Sequence, residues 1–276
     1  MIRSLLLLVV AAGLGGCQKS SDIPENPKGG AESRWELVWS DEFDGTGLPD
    51  PKKWTYAVGG HGWGNKEKQF YTEARVENAN QQDGKLHVTA RQERWEENDY
   101  TSARVITRGL GDFQYGRFEI RAKLPPARGT WAAIWMMPSD WEFSQGGWPD
   151  IGEIDIMEHV GHDSGVIHAS AHSRDYQWQK GTQKTGTIQI PTATDEFHTY
   201  VLEWSEERLA AYVDDQLYFE YLNEGKGVGK WPYIKPFYLI LNVAVGGEWG
   251  MVKGLDETAF PQTMEVDYVR VYRAVE

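Results

Sequence analysis

Cysteine, positive charge and long apolar runs are all scarce in this sequence. Cys17 is the one cysteine among 276 residues, so the chain cannot form an intramolecular disulfide. Its 28 Lys and Arg are outnumbered by 41 Asp and Glu, and the formal net charge of −13 argues against binding to nucleic acid or anionic lipid surfaces. The acidic balance also slightly disfavours sulfated polysaccharides. The apolar run Leu5–Ala12 is too short for a helix that spans a membrane, and no stretch has sustained helical periodicity with caps.

The N-terminal segment has the features of an export signal. Arg3 precedes the apolar run Leu5–Ala12, and Leu14-Gly15-Gly16-Cys17 follows it. This ending resembles a bacterial lipobox, which predicts a lipoprotein signal over residues 1–17 with lipid on Cys17; an ordinary signal peptide with an incidental cysteine is the alternative. Residues 18–34 have the Ser, Lys, Pro and Gly content of a flexible tether. The residue after the cysteine is Gln18, not Asp, and in lipoprotein sorting this resembles proteins that are directed to the outer membrane. We therefore expect a lipid-anchored protein of the cell envelope, or otherwise a secreted one.

Residues 35–276 have the pattern of one all-β domain. Short apolar-polar alternations recur between clusters of Gly, Pro, Asn and Asp, and Asp214-Asp215 is typical of a hairpin turn. Gln92–Asp99 is interpreted as a charged, solvated loop. The 13 Trp and 13 Tyr supply a core and leave aromatic rings for a sugar-binding cleft. The predicted strands include Lys85–Ala90, Gly116–Lys123, Phe197–Trp204, Ala210–Val213, Tyr238–Val243 and Met264–Tyr272.

The run at 148–159, Trp-Pro-Asp-Ile-Gly-Glu-Ile-Asp-Ile-Met-Glu-His, places three carboxylates among apolar residues. Glu153 and Asp155 share a face of a regular strand, whereas Glu158 points the other way unless a β-bulge adds one residue. With the bulge, the two Glu lie four strand steps apart, roughly 13 Å between Cα atoms. Side chains that lean inward could bring the carboxyls to about 5 Å, the separation of a retaining glycosidase. An acidic patch on a solvated strand is the alternative.

Each carboxylate then has a predicted role. Glu153 is the nucleophile, and Glu158 is the general acid and then the general base. Asp155 raises the pKa of the acid and can share a proton with the nucleophile. Two like residues would thereby hold different protonation states at one pH, as this chemistry requires.

This run resembles the signature Glu-x-Asp-x-x-Glu of glycoside hydrolase family 16, in its laminarinase-like branch. The resemblance implies a β-jelly-roll sandwich (concanavalin A-like) of two antiparallel sheets with a concave substrate cleft. It also implies retaining hydrolysis of β-linked glucans or galactans. Other stretches that carry the resemblance are Trp39–Phe43, Gly62–Asn65, Gln69–Thr72, Trp131–Pro138, Leu241–Gly247 and Val266–Tyr272.

The resemblance also implies a set of substrate-binding residues. Arg75 and Arg104 could instead form surface ion pairs, Trp135 could belong to the core, and His168 is as readily structural as functional. The family's Gly-Gly-x-Trp-Pro-Gly reads Gly-Gly-Glu-Trp-Gly-Met at 246–251, a change expected to loosen that loop. The predicted substrate-binding residues are Asn65, Arg75, Arg104, Trp131, Trp135, His172, Asn242 and Trp249.

The expected cofactors and partners follow from the same resemblance. Catalysis needs no cofactor, but the family implies a structural Ca²⁺ held by backbone carbonyls near Glu42 and Gly84 and by the carboxylate of Asp267. We expect a monomeric endo-β-1,3-glucanase that acts on laminarin-like polysaccharide and touches a membrane only through its lipid. Mixed-linkage glucan or red-algal galactan is the alternative substrate, and a non-catalytic lectin is the alternative of another class.

Overall fold

The computed structural model describes residues 34–140 and 147–275. The predictions for the export signal, for Cys17 and for the tether concern residues outside this described part. Within it, no helix is both long and apolar enough to cross a membrane.

The regular secondary structure of the described residues is almost entirely β-strand, with one short helix, α1 (Gly247–Gly250), and two 3₁₀ turns at Trp178–Lys180 and Glu257–Ala259. The all-β prediction is therefore confirmed. The strands in chain order are β1 (Arg34–Asp41), β2 (Thr55–Tyr56), β3 (Gln69–Tyr71), β4 (Ala79–Gln82), β5 (Lys85–Trp95), β6 (Asn98–Ser102), β7 (Arg104–Ile106), β8 (Asp112–Phe113), β9 (Gly116–Lys123), β10 (Thr130–Pro138), β11 (Glu153–Val160), β12 (Val166–His172), β13 (Lys184–Gln189), β14 (His198–Trp204), β15 (Arg208–Val213), β16 (Gln216–Leu222), β17 (Phe237–Val245) and β18 (Gln262–Val275).

These strands form two sheets. The ten-stranded sheet has the order β16-β15-β14-β9-β18-β5-β6-β3, with β1 also paired to β18 and β4 to β5. The eight-stranded sheet has the order β13-β12-β11-β10-β17-β7-β2, with β8 also paired to β17. Nearly all pairs are antiparallel, and β3 with β6 is a parallel pair. Neighbours in a sheet are often far apart in the chain, as expected for a sandwich with crossing connections.

The hydrophobic core lies between the two sheets. In β9, residues alternate strictly between buried and partly exposed, so one face of the ten-stranded sheet packs inward and the other meets solvent. Large buried side chains such as Trp54, Phe118 and Tyr200 fill the interior. Burying a side chain of this size contributes about 1.5–3 kcal/mol.

Two local predictions had different outcomes. The hairpin at Asp214-Asp215 is confirmed, because these residues join β15 to β16 with φ values of 46° and 68°, as a type I′ turn requires. The charged loop proposed for Gln92–Asp99 is wrong, because β5 continues to Trp95 and β6 starts at Asn98. The strands of this hairpin, β5 and β6, are hydrogen-bonded through their backbones, and charged side chains project from them. One of these side chains, Glu93, forms an ion pair with Arg75.

Candidate active site

The three carboxylates lie on β11, which sits between β10 and β12 in the eight-stranded sheet. On the neighbouring strand β12, Glu153 is opposite His172 and Glu158 is opposite His168, so six residues on β11 lie opposite five on β12. The register with β10 shifts at the same place. The predicted β-bulge is therefore present, and it separates the two Glu by four strand steps, about 13 Å between Cα atoms.

The bulge consists of Ile156 and Met157, whose side chains are both fully buried in the core. Two consecutive apolar residues thus face inward, which returns Glu158 to the face that carries Glu153. The hydroxyl of Tyr218, from β16 in the opposite sheet, donates a 2.6 Å hydrogen bond to the carbonyl of Ile156. Core packing and this hydrogen bond fix the bulge from the inside.

Tryptophan indoles donate hydrogen bonds to both glutamates of the cluster. Trp148 Nε1 donates to Glu153 Oε2 at 2.8 Å, and Trp131 Nε1 donates to Glu158 Oε1 at 3.0 Å. Gly152, just before Glu153, has φ +90°, and an added Cβ would lie 2.8 Å from a ring atom of Pro232. The chain can therefore turn into the catalytic strand at this position only with glycine.

His172 lies against the other side of the cluster. Its Nε2 is 3.2 Å from Asp155 Oδ2 and 4.0 Å from Glu153 Oε1. The shorter contact lacks hydrogen-bond alignment, so Asp155 Oδ2 has no hydrogen-bond partner among the described residues. Glu153, Asp155 and His172 also place one ligand atom each within 4.8 Å of the others, a grouping that could hold a metal ion. The ring nitrogens of His172 can equally orient a carboxyl or a sugar hydroxyl.

Burial controls the protonation of the cluster. Burial, and after it the negative charge of Asp155, raise the pKa of Glu153 to about 8. Burial raises the pKa of Asp155 to about 8, and a hydrogen bond with Glu153 opposes this rise. Burial, followed by the charge of Asp155, raises the pKa of Glu158 well above its usual value. Two carboxyls buried side by side, as Glu153 and Asp155 are, can share one proton.

Four predicted substrate-binding residues extend this face away from β11. Trp135 lies opposite Asp155 on β10, and its Nε1 donates to Asn242 Oδ1 at 2.7 Å. The guanidinium of Arg104 lies between the rings of Trp63 and Trp135, 4.5 Å from each centroid. Asn65 Nδ2 donates to the carboxylate of Glu67 at 3.1 Å. The structure thus brings Asn65, Arg104, Trp135 and Asn242 to the same face as the carboxylates.

The loop around Trp249 is ordered differently from our expectation. Residues 247–250 form the helical turn α1, in which Met251 N bonds Gly247 O at 3.2 Å, and Glu248 N bonds Asn65 O at 2.8 Å. The ring of Trp249 meets those of Trp131 at 5.3 Å and His168 at 4.8 Å, both edge to face. These hydrogen bonds and ring contacts hold the turn, and the loosening predicted from the missing proline stays a prediction.

Arg75 forms an ion pair on the neighbouring hairpin. Its Nη1 and Nη2 form a bidentate pair with Glu93 at 2.6 and 3.1 Å, and its guanidinium lies 4.9 Å from the Trp95 ring centroid. This is the ion pair that the sequence left open as an alternative. The substrate-binding role of Arg75 stays a prediction.

The residues of the predicted calcium site meet at one edge of β18. Strands β5 and β1 pair with that edge on either side of Asp267, so Gly84 and Glu42 flank it. The carboxylate of Asp267 accepts a 2.6 Å hydrogen bond from Arg121 Nη1. Backbone carbonyls and the second oxygen of Asp267 are the oxygen donors that Ca²⁺ prefers, so the residues fit such an ion.

Several residues that line the site were not predicted from the sequence. Trp148 precedes Glu153 by only five positions, and its place in the carboxylate run was a usable signal. Trp63, Glu67 and Tyr71 lie within or beside stretches that carry the family resemblance, but nothing in their spacing shows that they meet. Tyr218 gave no signal, because its contact with the bulge comes from the opposite sheet.

A sequence model of the family described as Glycosyl hydrolases family 16 matches residues 66–270. The chain belongs to this family. It is 50% identical over 277 residues to a beta-glucanase of Rhodothermus marinus, which covers 99% of this chain and 94% of the relative. It is 38% identical over 256 residues to a glucan endo-1,3-beta-glucosidase of Cryptopygus antarcticus, covering 87% of this chain and 93% of the relative.

The crystal structure of the laminarinase from Rhodothermus marinus is similar to this structure with a TM-score of 0.87 and 53% identity, over 89% of this chain and all of that one. The predicted family, the jelly-roll sandwich and the assignment as a glycoside hydrolase are thereby confirmed.

Proposed function

We propose that the protein is a retaining endo-β-1,3-glucanase that acts on laminarin-like glucans. The observation that carries the proposal is the bulge in β11, which places Glu153, Asp155 and Glu158 on one face with an indole donor on each Glu. The names of the relatives, a beta-glucanase and a glucan endo-1,3-beta-glucosidase, support the substrate class.

The first step forms a glycosyl-enzyme. The Glu153 carboxylate attacks the anomeric carbon while the bond from that carbon to the bridging oxygen breaks, and Glu158 gives its proton to the departing oxygen. In the second step water attacks the same carbon, Glu158 takes a proton from the water, and Glu153 leaves as a carboxylate. Two inversions retain the β configuration. The raised pKa of Glu158 keeps it protonated for the first step.

The neighbours of Glu153 select it as the ionised member of the Glu153–Asp155 pair. A pair that shares one proton carries one negative charge. The Trp148 indole donates to Glu153, and His172 also favours its charged form, whereas Oδ2 of Asp155 has no donor among the residues described. The charge therefore resides on Glu153, and Asp155 holds the proton.

A panel of polysaccharides tests the proposed substrate. Reducing-sugar release should be highest on laminarin, with oligosaccharides of mixed length as the first products of an endo-acting enzyme. Lichenan distinguishes mixed-linkage activity, and agarose and carrageenan distinguish the galactan alternative. Proton NMR should show the β-anomer first. Cleavage of agarose without cleavage of laminarin would contradict the substrate class, and binding without cleavage would favour the lectin alternative.

We propose that lipid on Cys17 holds the enzyme at the cell envelope. Support comes from the sequence at 14–18 and from the acidic charge, which gives the domain no electrostatic attraction to anionic lipid. Replacement of Cys17 by Ser should release active enzyme to the medium or leave an unprocessed precursor. Wild-type protein found wholly soluble, with no lipid mass on its N-terminus, would refute the anchor.

We also propose that Ca²⁺ binds at Glu42, Gly84 and Asp267 and acts on stability alone. A ligand present at 100 times its dissociation constant stabilises a protein by about 2.7 kcal/mol. Calcium should therefore raise the Tm of the wild type over that in EDTA, and Asp267→Asn should reduce the rise. An equal rise in both proteins, or none in the wild type, would exclude this site.

A further inference from the structure

A chain of hydrogen bonds, here called the Glu67 relay, runs along the cleft face from β10 to the loop before β3. Trp135 Nε1 donates to Asn242 Oδ1 at 2.7 Å, and Asn242 Nδ2 donates to the Tyr71 hydroxyl at 3.1 Å. The Tyr71 hydroxyl donates to Glu67 Oε2 at 3.3 Å. The relay therefore links four elements and ends at a carboxylate.

Every donor in the relay has one possible direction. An indole N–H can only donate and an ionised carboxylate can only accept. The amide of Asn242 must then turn its oxygen to Trp135 and its nitrogen to Tyr71, which leaves the Tyr71 proton for Glu67. Glu67 thus fixes the orientation of each group in the relay, as far as Trp135 on β10, which lies opposite Asp155 on β11.

The carboxylate of Glu67 also holds the loop itself. Its Oε1 accepts from Asn65 Nδ2 at 3.1 Å, and its Oε2 accepts from Gln69 Nε2 at 2.6 Å. The Gln69 oxygen in turn accepts from Val245 N at 2.7 Å, and Glu67 bridges to Gly246 through its backbone. One carboxylate therefore orders both Asn65 and the end of β17.

The surroundings of Glu67 are unlike those of a structural ion pair. In the described part of the chain no Lys, Arg or His lies within 4.0 Å of it, and burial raises its pKa. Placing a carboxyl there is costly for folding. A neutral or apolar residue would stabilise the loop at a lower cost in folding free energy. We therefore attribute the carboxylate at this position to the ordering of the cleft side chains.

We propose that Glu67 is a positioning residue for the glucan, which sets the Trp135 indole and the Asn65 and Asn242 amides before substrate arrives. The inference rests on the proposed function. A positioned cleft binds substrate without first ordering its own side chains, so loss of Glu67 should weaken binding more than it slows the bond-breaking step.

Glu67→Gln tests the proposal, because glutamine keeps the shape of the side chain but its amide nitrogen cannot accept a hydrogen bond, so one of the two acceptor atoms is lost. KM for laminarin should rise about tenfold while kcat stays within about threefold, since tenfold in affinity corresponds to losing one hydrogen bond to a charged group. Tyr71→Phe cuts the same relay at its middle and should give a similar rise. Because both act through one relay, the double variant should be little worse than either single variant.

Tyr221→Phe is the matched control, because Tyr221 is equally buried and donates to Lys230 O at 2.9 Å away from the relay. It should leave KM unchanged. An unchanged KM in Glu67→Gln or Tyr71→Phe, or fully additive losses in the double variant, would overturn the relay. If the proposed function itself fails, the wild type does not cleave laminarin at all, which is a distinct result.

Discussion

The outer face of the ten-stranded sheet and the cleft face of the eight-stranded sheet differ in whether their acidic side chains have basic partners. On the outer face, acidic groups meet basic ones across neighbouring strands. On the cleft face, three carboxyls cluster on β11, and within residues 34–140 and 147–275 His172 is the one basic side chain within 4.0 Å of any of them. The outer pairs include Arg117–Glu119, Arg117–Glu203, Arg121–Asp267 and Lys123–Glu265.

This difference separates charged groups that form ion pairs from carboxyls that can transfer protons. A partly exposed ion pair contributes about 0–1 kcal/mol and leaves both groups ionised. Carboxyls buried without basic partners keep protons near neutral pH, as Asp155 and Glu158 do chiefly through burial. The cleft face thus holds proton donors at a cost to stability, while the outer face pairs its acidic groups with basic ones.

The largest predicted effect comes from removing the nucleophile on the cleft face. Glu153→Gln keeps the shape and the Trp148 contact but cannot form the glycosyl ester, so kcat on laminarin should fall roughly 10⁴-fold or more. Circular dichroism should show an unchanged fold. Near-normal turnover by this variant would mean that another group is the nucleophile.

The acid/base residue should have a smaller effect that depends on the substrate. Glu158→Gln should lower kcat/KM on laminarin by about 10²–10⁴-fold. A β-glucoside with a good leaving group needs no proton, so its first step should be slowed far less. Equal losses on both kinds of substrate, measured by initial rates, would argue against Glu158 as the proton donor.

The same carboxyls should make the two faces respond differently to pH. Asp155 has a folded pKa of about 8, above its usual 3.8, so the folded state binds more protons than the unfolded state between these values. Its contribution to stability is present below pH 3.8 and is lost as pH rises toward 8. The Tm of Asp155→Asn should therefore gain on the wild type from pH 5 to pH 8, by roughly 2–4 °C for each kcal/mol.

Glu93→Gln provides the contrast for that pH series. Hydrogen bonds from Arg75 lower the pKa of Glu93, so its stabilising effect is lost only as pH falls below its usual value. Its Tm difference from the wild type should stay constant from pH 5 to pH 8. A gap that widens equally in both variants would remove the distinction between buried and paired carboxyls.

The smallest effect is predicted on the outer face. Glu203 accepts from Arg117 and Arg208 at 2.8 and 3.2 Å in a partly exposed network. Glu203→Gln should cost about 0–1 kcal/mol in the free energy of unfolding and leave kcat unchanged. Denaturant titration and initial rates check both. A loss of activity with intact stability would show that the outer face influences the chemistry.

The sequence predicted the features that depend on local pattern. Period-two alternation identified β9 with its observed limits. The Glu-x-Asp-x-x-Glu spacing predicted a bulge, which the structure places at Ile156 and Met157. Local pattern failed where contacts between distant segments decide the structure. The hairpin over Gln92–Asp99 is held by backbone pairing under charged side chains, and the charge of Arg75 is engaged by Glu93, 18 residues away. The Glu67 relay joins four segments, and no single stretch contains it.

Trapping the intermediate tests the central claim most directly. A 2-deoxy-2-fluoro laminaribiosyl fluoride has a good leaving group but a slowed second step, so a retaining enzyme should accumulate the glycosyl ester. Peptide mass spectrometry should find the sugar on Glu153, and the adduct should be absent from Glu153→Gln. An adduct on Asp155 or Glu158, or release of the α-anomer without any adduct, would contradict a double displacement through Glu153.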